Sequence, residues 1–81
     1  MTTAEKWRTC DMKSVAFLLY AGFPVAAVGK DQGRVFFDFA DTEERGAAVL
    51  SFWNKKTTVE PVAFTDSLSR ARDMVTQALK S

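Results

Sequence analysis

The sequence predicts a small α+β domain, one antiparallel hairpin packed against helices. Three observations lead there. Val25–Val28 and Arg34–Phe39 are short apolar runs joined by the polar turn Lys30-Asp31-Gln32-Gly33, the pattern of a hairpin. Helical periodicity flanks the pair on both sides. The chain has 81 residues, which makes one domain with one modest core. The expected order is αββα(β)α, with three helices and a third short strand at Thr57-Thr58-Val59. The domain is expected over residues 9–79, behind a loose polar segment, 1–8, that holds Trp7.

The first helix starts at Thr9 or Asp11, either of which can cap. Met12, Val15, Ala16 and Leu19 follow i, i+3, i+4, i+7 spacing, with Leu18 widening the stripe. Gly22 suits the left-handed position after a helix. Phe23 should fold back on Leu18, and Pro24 prevents continuation. In the second strand Val35, Phe37 and Phe39 share the core face. Arg34, Phe36 and Asp38 share the other, which makes Phe36 the odd residue. Asp41-Thr42-Glu43-Glu44 has capping-box spacing, with Asp41 as cap.

The second helix runs to about Trp53, its apolar side made by Val49, Phe52 and Trp53. Gly46 inside it costs about 1 kcal/mol against Ala, and nothing in the sequence accounts for it. Pro61 opens the third helix. There Phe64, Leu68, Ala71, Val75 and Ala78 form a stripe, and Asp66 and Arg70 sit i, i+4 on the wet side. Leu19, Phe37, Phe39, Val49, Phe52, Leu68 and Val75 are the expected core.

Composition narrows the function. With 47% hydrophobic and 26% charged residues the chain is globular rather than disordered. Seven Phe and two Trp must carry much of so small a core. A net charge of +1 fits neither a polyanion mimic nor a histone-like binder. Cys10 is alone, which excludes an intrachain disulfide and suits a reducing compartment. Met1–Lys13 holds no apolar run, so no secretory signal is expected. The longest uncharged stretch, Val15–Gly29, is broken by Gly22-Phe23-Pro24 and is shorter than the roughly 20 residues a spanning helix needs. No membrane association is expected.

The chain has no His. That removes the commonest general base, the Ser-His and Cys-His pairs and most transition-metal sites. Cys10, between Arg8 and Lys13, has neighbours that lower a thiol pKa, but a half-buried structural Cys is the plainer expectation. Asp38, Asp41, Glu43 and Glu44 cluster in sequence, yet Asp41 and Glu44 are better used as a capping box. No metal and no cofactor are expected.

Basic residues next to aromatics are the remaining candidates, since such pairs hold nucleic acid or nucleotides. One group is Trp53, Asn54, Lys55 and Lys56; the alternative there is that Trp53 belongs to the core and the lysines screen a loop. The other is Lys30, Arg34 and Phe36 on the second sheet face; the alternative is a solvated face with one exposed Phe.

Several short patterns recur in an order that resembles a small uncharacterised bacterial and phage family. They are Thr9-Cys10-Asp11, Ala16-Phe17-Leu18-Leu19, Gly22-Phe23, Gly33-Arg34-Val35-Phe36-Phe37, Phe39-Ala40-Asp41-Thr42, Phe52-Trp53-Asn54 and Val59-Glu60-Pro61. The resemblance spans residues 8–79. Glu60 stands where the pattern has Asp, and Gly46 where it has a better helix former. The resemblance implies the helix–hairpin–helix–helix order and a phage or mobile-element context in a bacterial cytoplasm. It implies no activity, cofactor or site.

Two function classes follow. The first is a small non-catalytic binding protein acting by protein–protein contact, such as a phage-encoded stoichiometric inhibitor of a host defence system. The second is a nucleic-acid or nucleotide binding accessory protein. A homodimer that covers Phe36 or pairs strand edges is a further expectation.

Overall fold

The computed structural model describes residues 6–80. It has three antiparallel strands and three helices in the order β1 (Lys6–Thr9), α1 (Met12–Tyr20), β2 (Ala27–Asp31), β3 (Arg34–Ala40), α2 (Glu43–Trp53) and α3 (Pro61–Lys80). The fold class is the α+β expected. The sheet order is β1-β3-β2, so the most apolar strand is central. The extents are 38 × 35 × 18 Å, the thickness of one sheet layer and one helix layer.

The third strand is not where the sequence suggested. Thr57-Thr58-Val59 has no strand structure, whereas Lys6–Thr9, expected to be loose, pairs with β3 from Lys6 opposite Ala40 to Thr9 opposite Phe37. Alternation across this register puts Trp7 on the helix side and Lys6 and Arg8 on the outer side. Trp7 thus packs against the core, and that burial holds an otherwise polar edge strand. The rest of the loose segment, residues 1–5, lies outside the described residues. The hairpin is also shifted. Its first strand starts at Ala27 rather than Val25, and only Gln32 (φ 50°) and Gly33 (φ 77°) form the turn. Two left-handed residues in a row match the twist of a tight hairpin.

α1 begins on Asp11, whose carboxylate accepts from the Ser14 N–H (3.3 Å) and the Ser14 hydroxyl (2.6 Å). It ends as expected. Gly22 (φ 95°) donates to the Leu19 carbonyl and Phe23 to the Leu18 carbonyl, and Phe23 packs on the cluster that contains Leu18. The start of α2 differs from expectation. Thr42, not Asp41, is the cap, accepting from the Arg45 N–H (3.1 Å). Asp41 instead takes the Arg45 guanidinium at 2.6 Å. Arg45 has the reach to draw that carboxylate to itself, which leaves the hydroxyl next in line to cap. Glu60 caps α3: its carboxylate accepts from Ala63, while its own N–H donates to the Tyr20 hydroxyl at 2.9 Å.

The core cluster is Val15, Leu18, Phe37, Phe39, Val49 and Ala71. Phe37, Phe39 and Val49 are buried as expected, but Leu19, Phe52, Leu68 and Val75 are half-buried. The reason lies in α1. It packs on α3 and on α2, and its Val15 and Leu18 share the core cluster with Phe37 and Phe39 of the sheet, so Ser14 through Leu18 form an unbroken buried run. A helix covered on nearly all sides has no single stripe. Ser67 and Ala71 are the buried positions of α3; small side chains there bring its axis close to α1.

Candidate interaction surfaces

α2 carries an apolar surface that does not face the core. Arg45, Val49 and Phe52 point inward or along the seam with α1. Gly46, Leu50 and Trp53, at i, i+4, i+7, form a second stripe beside them. Leu50 is 59% and Trp53 57% exposed. With Trp7, Arg45 and Val49 these three residues line a groove of about 250 Å³. A Cβ on Gly46 would meet nothing within 4 Å beyond its own helix backbone, so no close packing inside the chain requires the glycine, and its lack of a side chain leaves the groove open. One wall is rigid: Arg45 is buried and stacks over the Trp7 ring at 4.2 Å. Its Nε has no acceptor among the described residues; the ring face supplies the compensating contact.

Trp53 is therefore not the core residue that one expectation made it. Its ring is presented to solvent while its Nε1–H donates to Ser14 Oγ at 3.0 Å, and that hydroxyl donates to Asp11. An anchored, exposed indole is typical of a contact residue, since little side-chain freedom is left to lose. Asn54, Lys55 and Lys56 follow directly and close the helix. Lys56 donates to the Ser51 carbonyl and Lys55 to that of Phe52, with Lys55 in the left-handed region at φ 58°. All four candidates of this group are exposed at one helix end.

The chain belongs to the DUF5659 family. The model of that family, a domain of unknown function, matches residues 4–77. No curated protein and no solved structure matches the chain.

The second candidate group of this DUF5659 chain does not come together. Lys30 pairs with Val35 and so lies on the helix side of the sheet, whereas Arg34 and Phe36 lie on the outer side. On that outer side Arg8 binds Asp38 with two hydrogen bonds, 2.9 and 3.2 Å. The same guanidinium stacks on Phe36 at 3.7 Å. The paired Arg8 guanidinium holds the Asp38 carboxyl below its ordinary range, against the opposing effect of burial, and Asp38 raises Arg8 in turn. Phe36 is thus half-buried by its own sheet. Arg8, Cys10, Asp31, Gln32, Arg34 and Phe36 line a shallow cleft of about 320 Å³ beside it. Cys10 is a free, exposed thiol rather than a half-buried one. Among the described residues no three His, Cys, Asp or Glu side chains are grouped to hold a metal. No helix of the described residues is long and apolar enough to cross a membrane.

Leu50, Gly46 and Trp7 were not among the sequence candidates. The signal for the first two was present. Gly46, Leu50 and Trp53 repeat at helical spacing next to the core stripe, and Gly46 had no local reason. Trp7 could be placed only by knowing that β1 pairs with β3.

Proposed function

We propose that this protein is a small non-catalytic binding protein that acts by protein–protein contact through the α2 groove. The observation that carries this reading is the exposure of Leu50 and Trp53 beside an open Gly46. Exposed aromatic anchors at the rim of a pocket are where protein interfaces concentrate their energy. The lack of His in the whole chain supports a role without acid–base chemistry. A protein of this kind works stoichiometrically. In the phage or mobile-element setting implied by the sequence resemblance, a bacterial cytoplasmic host-defence component is the class of target it suits.

The alternative, nucleic-acid or nucleotide binding, would rest on Trp53, Lys55 and Lys56 alone, because the sheet-face group offers no open ring. Phe36 meets Arg8 from the β1 side and Gly29 from the β2 side, so its ring is not open to stack on a base. Arg8 is already committed to Asp38.

The test is retention of a partner from a bacterial lysate by the immobilised protein. A specific protein retained by wild type and lost with Leu50→Asp is the expected result, with little dependence on salt. Equal retention by Leu50→Asp, or retention of nucleic acid that falls steeply with salt, would overturn the reading.

A further inference from the structure

The charges at the two ends of α2 are of opposite sign. Glu43 and Glu44 occupy its first turn, and Lys55 and Lys56 follow its last. Between them lie a gap at Gly46 and an exposed indole at Trp53. These features are symmetric about the point between Val49 and Leu50. If a second α2 packs antiparallel with its two-fold axis at that point, Gly46 of one copy meets Trp53 of the other. Glu43, on the same side of the helix as Gly46 and Leu50, then lies toward Lys55 and Lys56 at both ends, while Glu44 points away from the contact. The smallest residue of the stripe faces the largest, and Glu43 faces the basic end of the partner helix.

From this complementarity we infer that the α2 groove binds a second copy of this chain, in an isologous dimer with antiparallel α2 helices. The inference rests on the reading of the α2 groove as a protein-contact surface and names its first occupant. A parallel pair is disfavoured because it would set Glu43 against its own copy, and the basic ends likewise. The contact has the symmetry of the commonest oligomers, in which one patch serves both subunits. Its indole arrives already anchored by Ser14, so binding orders little. The contact is one helix of 11 residues and its rim. It therefore falls at the small end of specific interfaces, below about 1,200 Å² in total, and the dimer is weak and reversible. The surface is distinct from the outer sheet face that carries Phe36.

Sedimentation velocity over a series from micromolar to near-millimolar concentration tests this with three proteins. Wild type should move from one-chain to two-chain mass across the series. Glu43→Lys/Glu44→Lys and Lys55→Glu/Lys56→Glu should each remain at one-chain mass, because each sets like charges against themselves. An equimolar mixture of the two should recover the two-chain mass, since the reversed ends complement each other. Recovery also shows that neither variant had merely unfolded, and circular dichroism of each alone checks the same point. Wild type at one-chain mass throughout would overturn the inference, as would a dimer indifferent to both reversals or a folded pair that fails to recover on mixing. The contact-surface reading fails separately. A monomeric wild type whose retained lysate protein is lost with Leu50→Asp overturns only the dimer. A monomer whose Leu50→Asp variant retains the same protein overturns both.

Discussion

The ring of Phe36 lies so close over Gly29 that a Cβ at position 29 would stand 2.3 Å from its para carbon. The two residues are cross-strand partners on the outer sheet face. The missing side chain on β2 lets the aromatic fold flat across the strand, where Arg8 covers it from the other side. This explains how a Phe on the face away from the helices is half-buried without a third layer.

A specific coupling follows. Gly29→Ala should destabilise the protein by about 1–3 kcal/mol, the usual range for forcing atoms into an occupied space. In a Phe36→Ala background the same change should be close to neutral, since the obstructing ring is gone. Urea midpoints of the four proteins in this cycle measure the interaction. Equal costs in both backgrounds would mean that the ring does not lie over Gly29.

The Arg8–Asp38 pair makes stability depend on acid pH. Asp38 is held below its ordinary range mainly by hydrogen bonds from Arg8. A carboxylate with a lowered folded pKa contributes stability that is present above its unfolded value, about 3.9, and is lost as pH falls through the folded value. Arg8, raised further, stays protonated throughout. Wild type should therefore exceed Asp38→Asn in stability at neutral pH, and the gap should close as pH is lowered through the carboxylate range. Chemical denaturation at a series of pH values reads this directly; a gap that does not change with pH would contradict the assignment.

Lys55 holds a left-handed conformation, φ 58°, at the position after the α2 cap, where Gly22 serves at the end of α1. A residue with a Cβ is strained there by roughly 1–2 kcal/mol, partly offset by the greater backbone entropy that Gly loses on folding. Lys55→Gly should raise stability by up to about 1 kcal/mol. A lower melting midpoint for this variant would show that the lysine side chain contributes something that the backbone geometry does not reveal.

Much of the fold could be read from local patterns. Gly22-Phe23-Pro24 closes α1 by the chemistry its residues imply, and the alternation of Val35, Phe37 and Phe39 assigns the inner face of β3. The errors share one physical origin, interactions between residues distant in sequence. Lys6–Thr9 has no strand signal of its own and becomes β1 only because β3 offers it an edge and Trp7 a place in the core. The buried run of α1 reflects neighbours on three sides, which periodicity within one helix does not encode. Asp41 lost its capping role to Thr42 through a side-chain pair with Arg45. At the candidate surfaces, Trp53, Asn54, Lys55 and Lys56 are contiguous and were found together. Lys30 was grouped with Arg34 and Phe36 across a turn that puts it on the opposite sheet face.

Gly46 separates stability from association. It lies in the interior of α2 with helical backbone geometry and open space where a Cβ would sit. Gly46→Ala should therefore stabilise the isolated domain by about 0.8–1.0 kcal/mol, the helix-propensity difference. If the gap at position 46 receives the indole of a second copy, the same methyl narrows the seat, and Gly46→Leu fills it. The expected order of dimer strength is wild type, then Gly46→Ala, then Gly46→Leu, while Gly46→Ala exceeds wild type in melting temperature measured at a concentration where the protein is monomeric. Sedimentation and thermal melting on the same preparations separate the two effects. A Gly46→Ala protein that is both more stable and no weaker as a dimer would leave the glycine unexplained by the α2 contact.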